Sequence, residues 1–197
     1  MFLGDLQTAI TKKLFDSGIE TSSLDSRIIL KEVFCFDEKE LILNSQLIVT
    51  KNKISEADKI LARRISGEPV SKIFGKRDFY ESTFFISENV LDPRPETELI
   101  IEIANNFILD KRYKNFIDLG TGSGCIILSI LKDNKSLRAL GIDISNKAIN
   151  IAQKNCSNLN LEKQATFIVS NWLSKVSDSY DLIISNPPYI PSKDIDT

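Results

Sequence analysis

The sequence predicts a small helical bundle followed by a Rossmann-like α/β domain, and three observations predict it. Residues 5–67 carry apolar stripes at helical spacing: Leu6, Ile10 and Leu14, then Ile54, Ala57, Leu61 and Ile65. The second half instead holds short apolar runs, at 116–119, 137–142, 165–170 and 180–185, that read as strands separated by helical stretches. Between the first two runs lies Gly120-Thr121-Gly122-Ser123-Gly124, a turn able to carry a strand straight into a helix.

The elements follow in order. Gly18 and Thr21-Ser22-Ser23 punctuate the first two helices, and Gly67-Glu68-Pro69 ends the last one of the bundle. Ile73 to Phe74, Asp78 to Tyr80 and Thr83 to Ile86 then read as short strands, a hairpin linking two domains. After Pro95, residues 96–109 form a helix with Leu99, Ile100, Ile103, Ala104, Phe107 and Ile108 on a broad apolar face. Glu96 and Glu98 sit in its first turn, where the helix dipole favours them. Ser145 caps a further helix running to about Cys156. The expected domains are therefore 1–70, a bundle that holds a partner, 71–92, the linking hairpin, and 93–197, the α/β domain.

The most informative segment is Asn186-Pro187-Pro188-Tyr189, entered directly from Leu182, Ile183 and Ile184. Two successive prolines fix their own φ near −65° and keep the preceding residue out of helical space, so Asn186 sits in a stiff extended loop at a strand's end. Its amide oxygen and the Pro187 carbonyl can together accept both hydrogens of a planar NH2 group, while Tyr189 offers an aromatic face. Asn-Pro alone opens turns as readily as it builds sites. The upstream residues decide between the two.

Glycines at 120, 122 and 124 tolerate positive φ and let backbone N–H groups approach a ligand without a Cβ in the way. Their G-x-G-x-G spacing fits a dinucleotide fingerprint less well than G-x-G-x-x-G would. Asp143 ends the next strand about 20 residues beyond the loop, where a carboxylate can accept both ribose hydroxyls of an adenosine. Asn171-Trp172 follows the third strand, and an amide and an indole there could frame an adenine ring.

Asp118-Leu-Gly-Thr-Gly-Ser-Gly124, Gly141-Ile-Asp143, Asn171-Trp172 and Ser185-Asn-Pro-Pro-Tyr-Ile190, with Pro93-Arg-Pro-Glu-Thr-Glu98, resemble the release-factor glutamine methyltransferases (the PrmC/HemK family) along nearly the whole chain. Gly67-Glu-Pro-Val70, Gly75 and Arg77-Asp-Phe-Tyr80 resemble the family's interdomain segment. Most of these motifs are shared with other S-adenosylmethionine-dependent enzymes, and Pro93 to Glu98 is the particular one. The resemblance implies a class I methyltransferase fold with S-adenosyl-L-methionine as cofactor and no metal. It implies that Gly120, Thr121, Gly122, Ser123 and Gly124 line the methionine end, with Asp118 beside them. Asp143 would hold the ribose and Trp172, with Asn171, the adenine. Asn186 would touch both cofactor and substrate, with Pro187, Pro188 and Tyr189 completing the catalytic segment. The implied substrate is the glutamine of the Gly-Gly-Gln loop in peptide-chain release factors.

Three departures from the family pattern stand out. Asp92 replaces an isoleucine, Asn171 replaces a common aspartate, and the chain stops at Thr197. The family's sheet has seven strands in the order 3-2-1-4-5-7-6, of which this chain supplies the first four. An incomplete domain is therefore expected, with the strand before Asn186 left as an edge.

Composition bounds the function classes. The 197 residues contain no histidine, which removes the commonest general base and metal ligand. Cys35, Cys125 and Cys156 are odd in number and far apart, against both a disulfide framework and a zinc site. Residues 1–75 are electrically balanced and the net charge of −2 lies in the remainder, so neither part is a basic nucleic-acid platform. Arg63-Arg64, Lys76-Arg77 and Lys12-Lys13 read as solvated faces. No apolar run is long enough for a membrane span, and Met1 to Asp5 lacks a basic start to a signal peptide, so a cytoplasmic monomer is expected. Two rival readings follow from the same residues. One is an adenine-specific nucleic-acid methyltransferase using the same clamp on a flipped base. The other is a non-catalytic fragment that binds cofactor or a partner.

Overall fold

The computed structural model describes residues 1–88 and 90–187. The chain forms two compact units, 1–75 and 76–197.

The first unit is helical: α1 (Leu3–Asp16), α2 (Ser22–Phe34), α3 (Glu38–Leu43), α4 (Lys51–Ile65) and α5 (Val70–Phe74). The stripe Leu6, Ile10 and Leu14 is buried as its spacing demands, against Ile29, Leu30, Val33, Ala57 and Leu61. Ile65 falls at the frayed end of α4 and is 43% exposed. Asp37 and Glu40 cap α3 reciprocally, Asp37 Oδ1 accepting from Glu40 N at 2.7 Å and Glu40 Oε2 from Asp37 N at 2.8 Å. The basic pair Arg63-Arg64 is consumed inside this unit. Arg64 donates to the buried Asp25 at 2.7 Å, and Arg63 forks onto Glu68.

Residues 73–74, read from sequence as strand, close α5 instead. Pro69 stands at its N-cap with φ −62°, and the brief apolar run that follows has no periodicity to separate helix from strand. The hairpin itself is β1 (Lys76–Phe79) with β2 (Ser82–Phe85), and it belongs to the second unit rather than to a separate linking segment. Its two-residue turn puts Tyr80 and Glu81 at φ 41° and 56°, a conformation normally filled by Asn or Gly. Neighbours compensate for the strain. Glu98 Oε1 accepts from Tyr80 N at 3.2 Å, and Lys132 Nζ donates to the Glu81 carbonyl at 2.8 Å.

A 3₁₀ turn, Pro95–Thr97, leads into α6 (Glu98–Lys111). There follow β3 (Asn115–Leu119), α7 (Cys125–Asp133), β4 (Arg138–Asp143), α8 (Asn146–Asn158), β5 (Ala165–Val169) and β6 (Leu182–Ser185). The four strands form one parallel sheet in the order β5-β4-β3-β6, as expected of the α/β domain, and among the described residues β6 is an edge. Ile184 is buried beneath the helices while Ile183, on the alternate face of the edge strand, is 56% exposed. One sheet face packs through Phe116, Ala139, Phe167 and Ile184 against α6, α7 and α8. The other buries Ile117, Leu119, Leu140 and Ile142 beneath Val176 and Tyr180 of the β5–β6 loop.

Gly141, in the middle of β4, is required by packing. An added Cβ would lie 2.5 Å from Phe167 Cδ1 and 3.1 Å from Thr121 Oγ1, and the phenyl ring is itself held in the core. Gly141→Ala is expected to lower stability by about 2 kcal/mol, as overpacking of a filled core does. A lower denaturant midpoint at unchanged slope would register it; an unaltered midpoint would show that Phe167 yields freely.

Candidate functional site

Parallel strands bring their carboxyl ends to one edge, and the connections leaving that edge build the site. The pairing Leu119↔Ser185 fixes the register, so Asn186 leaves β6 beside the point where Gly120 leaves β3. Ser185 Oγ tightens this by donating to the Leu119 carbonyl at 2.9 Å.

The glycine loop is fastened at every turn. Gly120 N and Thr121 N both donate to the Ile142 carbonyl at 2.8 Å, which ties the loop to the end of β4. Gly120, Gly122 and Gly124 have φ 74°, 54° and 78°, a path that L side chains rarely follow. Gly122 N donates to Asp143 Oδ2 at 3.0 Å, and Asp143 Oδ1 accepts from Ser145 N at 2.9 Å. Asp143 thus joins the loop to α8, whose N-terminus Ser145 caps by accepting from Ala148 N at 3.3 Å. Capping and presentation of a carboxylate are compatible here.

Beneath the loop, Thr121 Oγ1 donates to Asp118 Oδ2 at 2.7 Å. No described residue donates to Asp118 Oδ1. Burial pushes the Asp118 carboxyl up to about 6; the Thr121 hydroxyl opposes the shift, and the negative charge of Asp143 adds to it. Cys125, next to the loop, is pushed by burial up to about 12 and Cys156 to about 11, so neither offers a thiolate nucleophile at neutral pH. Among the described residues no cluster of His, Cys, Asp or Glu could hold a metal ion, and no helix is long and apolar enough to cross a membrane.

Asn155 was missed in the sequence. It is 1% exposed on α8; its Oδ1 accepts from Phe85 N at 2.7 Å, and its Nδ2 donates to the carbonyls of Phe85 at 2.9 Å and Ser123 at 2.8 Å. One amide therefore stitches the hairpin to the glycine loop. The available signal was a polar residue on the apolar stripe Ala148, Ile149, Ala152 and Cys156.

These residues enclose a cavity of about 390 Å³. Gly120, Gly122, Asp143, Asn171, Trp172, Asn186 and Pro187 line it, with Leu91, Ile142 and Ile144 among its apolar walls. Trp172 is 59% exposed at φ 49°, on the rim rather than in the core. Asp118, Thr121 and Ser123 are buried behind the loop and shape it without forming the wall. Asn186 Nδ2 donates to Thr97 Oγ1 at 3.2 Å. Pro188 and Tyr189 lie outside the described residues.

Comparisons with known proteins match this arrangement from both ends. The family model described as "Methyltransferase small domain" matches residues 85–197, and the one described as "PrmC N-terminal domain" matches residues 5–75. The "Release factor glutamine methyltransferase" of Rhodospirillum rubrum is 38% identical over 195 residues, 99% of this chain and 60% of that protein. Its counterpart in Caulobacter vibrioides is 36% identical, over 96% of this chain and 66% of that protein. The one in Cereibacter sphaeroides is 31% identical, over 99% and 69%. The chain thus spans less than two thirds of the length of the first two relatives.

Proposed function

The chain belongs to the family of release-factor glutamine methyltransferases, and from that premise we propose that it serves transfer of a methyl group from S-adenosyl-L-methionine to a glutamine side-chain amide, the glutamine of the Gly-Gly-Gln loop in peptide-chain release factors. The observation that carries the reading is the shared cavity. The glycine loop and Asp143 border the same space as Asn186 and Pro187, so a donor and an acceptor amide would meet there.

The residues fit the cofactor on two counts. At Gly120, a residue of the cavity wall, an added Cβ would meet nothing within 4 Å, so the absent side chain leaves open space and not a gap filled by the protein's own packing. The orphaned Asp118 Oδ1 is an acceptor without a donor, close behind a loop that would hold a ligand bearing an ammonium group. Asp143 would hold the ribose, Trp172 with Asn171 the adenine, and the Gly120–Gly124 loop the methionine end.

When bound, the cofactor supplies a methyl group on a positively charged sulfur, whose departure needs no acid catalyst. The chain's own task is to present a poor nucleophile, an amide whose nitrogen lone pair is delocalised. The Asn186 oxygen and the Pro187 carbonyl would accept the two N–H hydrogens and aim the lone pair toward the methyl group, and one of those two protons would pass to water once the nitrogen carried the methyl group. None of these 197 residues can act as a histidine base, because they include no histidine. The first unit, 1–75, holds the protein substrate, and the working protein is a cytoplasmic monomer without direct nucleic-acid contact.

Two measurements test this. Calorimetry of the chain with S-adenosylhomocysteine is expected to show binding that Asp143→Ala weakens by at least about tenfold, the order of one charge-assisted pair. Neither heat nor a thermal shift would favour a fragment that only docks a partner. Offering release factor and duplex nucleic acid with a labelled donor separates the substrate classes. Label in nucleic acid alone would instead select the adenine methyltransferase, whose flipped exocyclic amine suits the same clamp.

A further inference from the structure

The segment Pro93 to Glu98 leads into α6 without lining the cavity, and the cavity chemistry leaves it without a task. Its backbone tightens into the 3₁₀ turn, with Thr97 N donating to the Arg94 carbonyl at 2.9 Å. Thr97 closes this turn and leads into α6 with φ −70° and ψ −19°, a helical backbone in which its side chain makes no capping bond to the helix. Its side chain is buried, 6% exposed, and its hydroxyl oxygen accepts instead from Asn186 Nδ2 at 3.2 Å, 89 residues away in sequence.

We infer that Thr97 is a positioning residue that fixes which way round the Asn186 amide faces. A planar carboxamide has a donor end and an acceptor end of nearly equal shape, so packing alone discriminates poorly between its two orientations. Only one of them turns the oxygen toward an incoming N–H. With Nδ2 held against Thr97 Oγ1 the amide stands in one of them, and flipping it would require the hydroxyl to turn from acceptor to donor. The next residue anchors the strut, because Glu98 Oε1 accepts from Tyr80 N at the strained hairpin turn. The consecutive residues Thr97 and Glu98 therefore tie the amide clamp to the hairpin.

The inference rests on the reading of Asn186 as the amide clamp, and its test separates the two. Thr97→Val keeps the shape and removes the oxygen, whereas Thr97→Ser keeps the oxygen. In nitrogen-labelled protein, assigned through the pair of side-chain signals lost in Asn186→Asp, hydrogen exchange at Asn186 Nδ2 is expected to quicken about tenfold in Thr97→Val, one hydrogen bond's worth. It should stay near the wild-type rate in Thr97→Ser. Methyl transfer to a glutamine acceptor is expected to lose about 10²-fold in kcat in Thr97→Val with KM for the cofactor little changed, the penalty of a misaimed group. Thr97→Ser should restore it. Exchange unchanged in Thr97→Val, or Thr97→Ser behaving like Thr97→Val in both measurements, overturns the inference. Wild-type protein that binds no cofactor overturns the functional reading alone, and the exchange rates still decide on Thr97.

Discussion

Asn186→Ala is expected to lower methyl transfer to a glutamine amide about 10³-fold while cofactor affinity falls by much less. The asymmetry follows from where the residue stands. As a wall of the cavity, Asn186 is one of many contacts, and Asp143, the glycine loop and Trp172 remain when it is truncated. As the proposed acceptor for a substrate N–H it would have no substitute, since the Pro187 carbonyl could take only one of the two hydrogens along the required direction. Removing one preorganised polar group aimed at the reacting atoms costs about 3–4 kcal/mol in other enzymes, which is the loss expected here. Asn186→Asp is the sharper companion variant. It retains an acceptor oxygen but presents a second oxygen to Thr97 where Nδ2 now donates. Turnover with a labelled donor and a glutamine-containing acceptor measures both. An Asn186→Ala protein with undiminished turnover would remove Asn186 from the reaction altogether.

How much of this was legible beforehand depends on the range of the interactions. The strand ends, the glycine loop and the helix capped by Ser145 are local, written as apolar runs punctuated by Gly, Asp and Ser, and the structure reproduces them within one or two residues. Asp143 could be placed at a strand end from sequence because a parallel sheet aligns its carboxyl ends without any side-chain information. The short stretch Val70 to Phe74 was misjudged because five residues carry no usable period, and tertiary packing decided for helix. The turn at Tyr80-Glu81 shows none of the usual residues, since distant Glu98 and Lys132 hold it. The tasks of Asn155 and Thr97 were illegible for the same reason. Their partners lie 70 and 89 residues away, so a polar residue on an apolar stripe, or a threonine in a Pro-rich segment, can be noticed without its partner being named.

Asp118→Asn is expected to make the protein more stable at neutral pH and a poorer binder of cofactor. The carboxyl is 1% exposed and burial pushes it up to about 6 from an ordinary 3.8. The sign follows from proton counting. Between about pH 4 and pH 6 the folded chain holds a proton at Asp118 that the unfolded chain has released, so this residue's contribution to stability falls as pH rises through that window. Above it the full cost of the buried charge is present, about 3 kcal/mol for a shift of roughly two pH units. Below pH 4 both states are protonated and the cost vanishes. An asparagine can still accept from Thr121 Oγ1 but carries no charge, so the variant should melt higher than wild type at pH 7 and lose that advantage as the pH is lowered to 4. A buried carboxylate that only costs stability would have no reason to keep one oxygen without a donor. On the proposed reading, that oxygen behind the glycine loop would be the counter-charge for a ligand ammonium, and losing it should weaken S-adenosylhomocysteine binding by about 10- to 100-fold, the worth of a charge-assisted bond. Melting curves at the two pH values and calorimetry at pH 7 must therefore move in opposite directions. A variant that is both more stable and equally tight would make Asp118 a packing residue, and the methionine end of the ligand would have to be held by the loop's backbone alone.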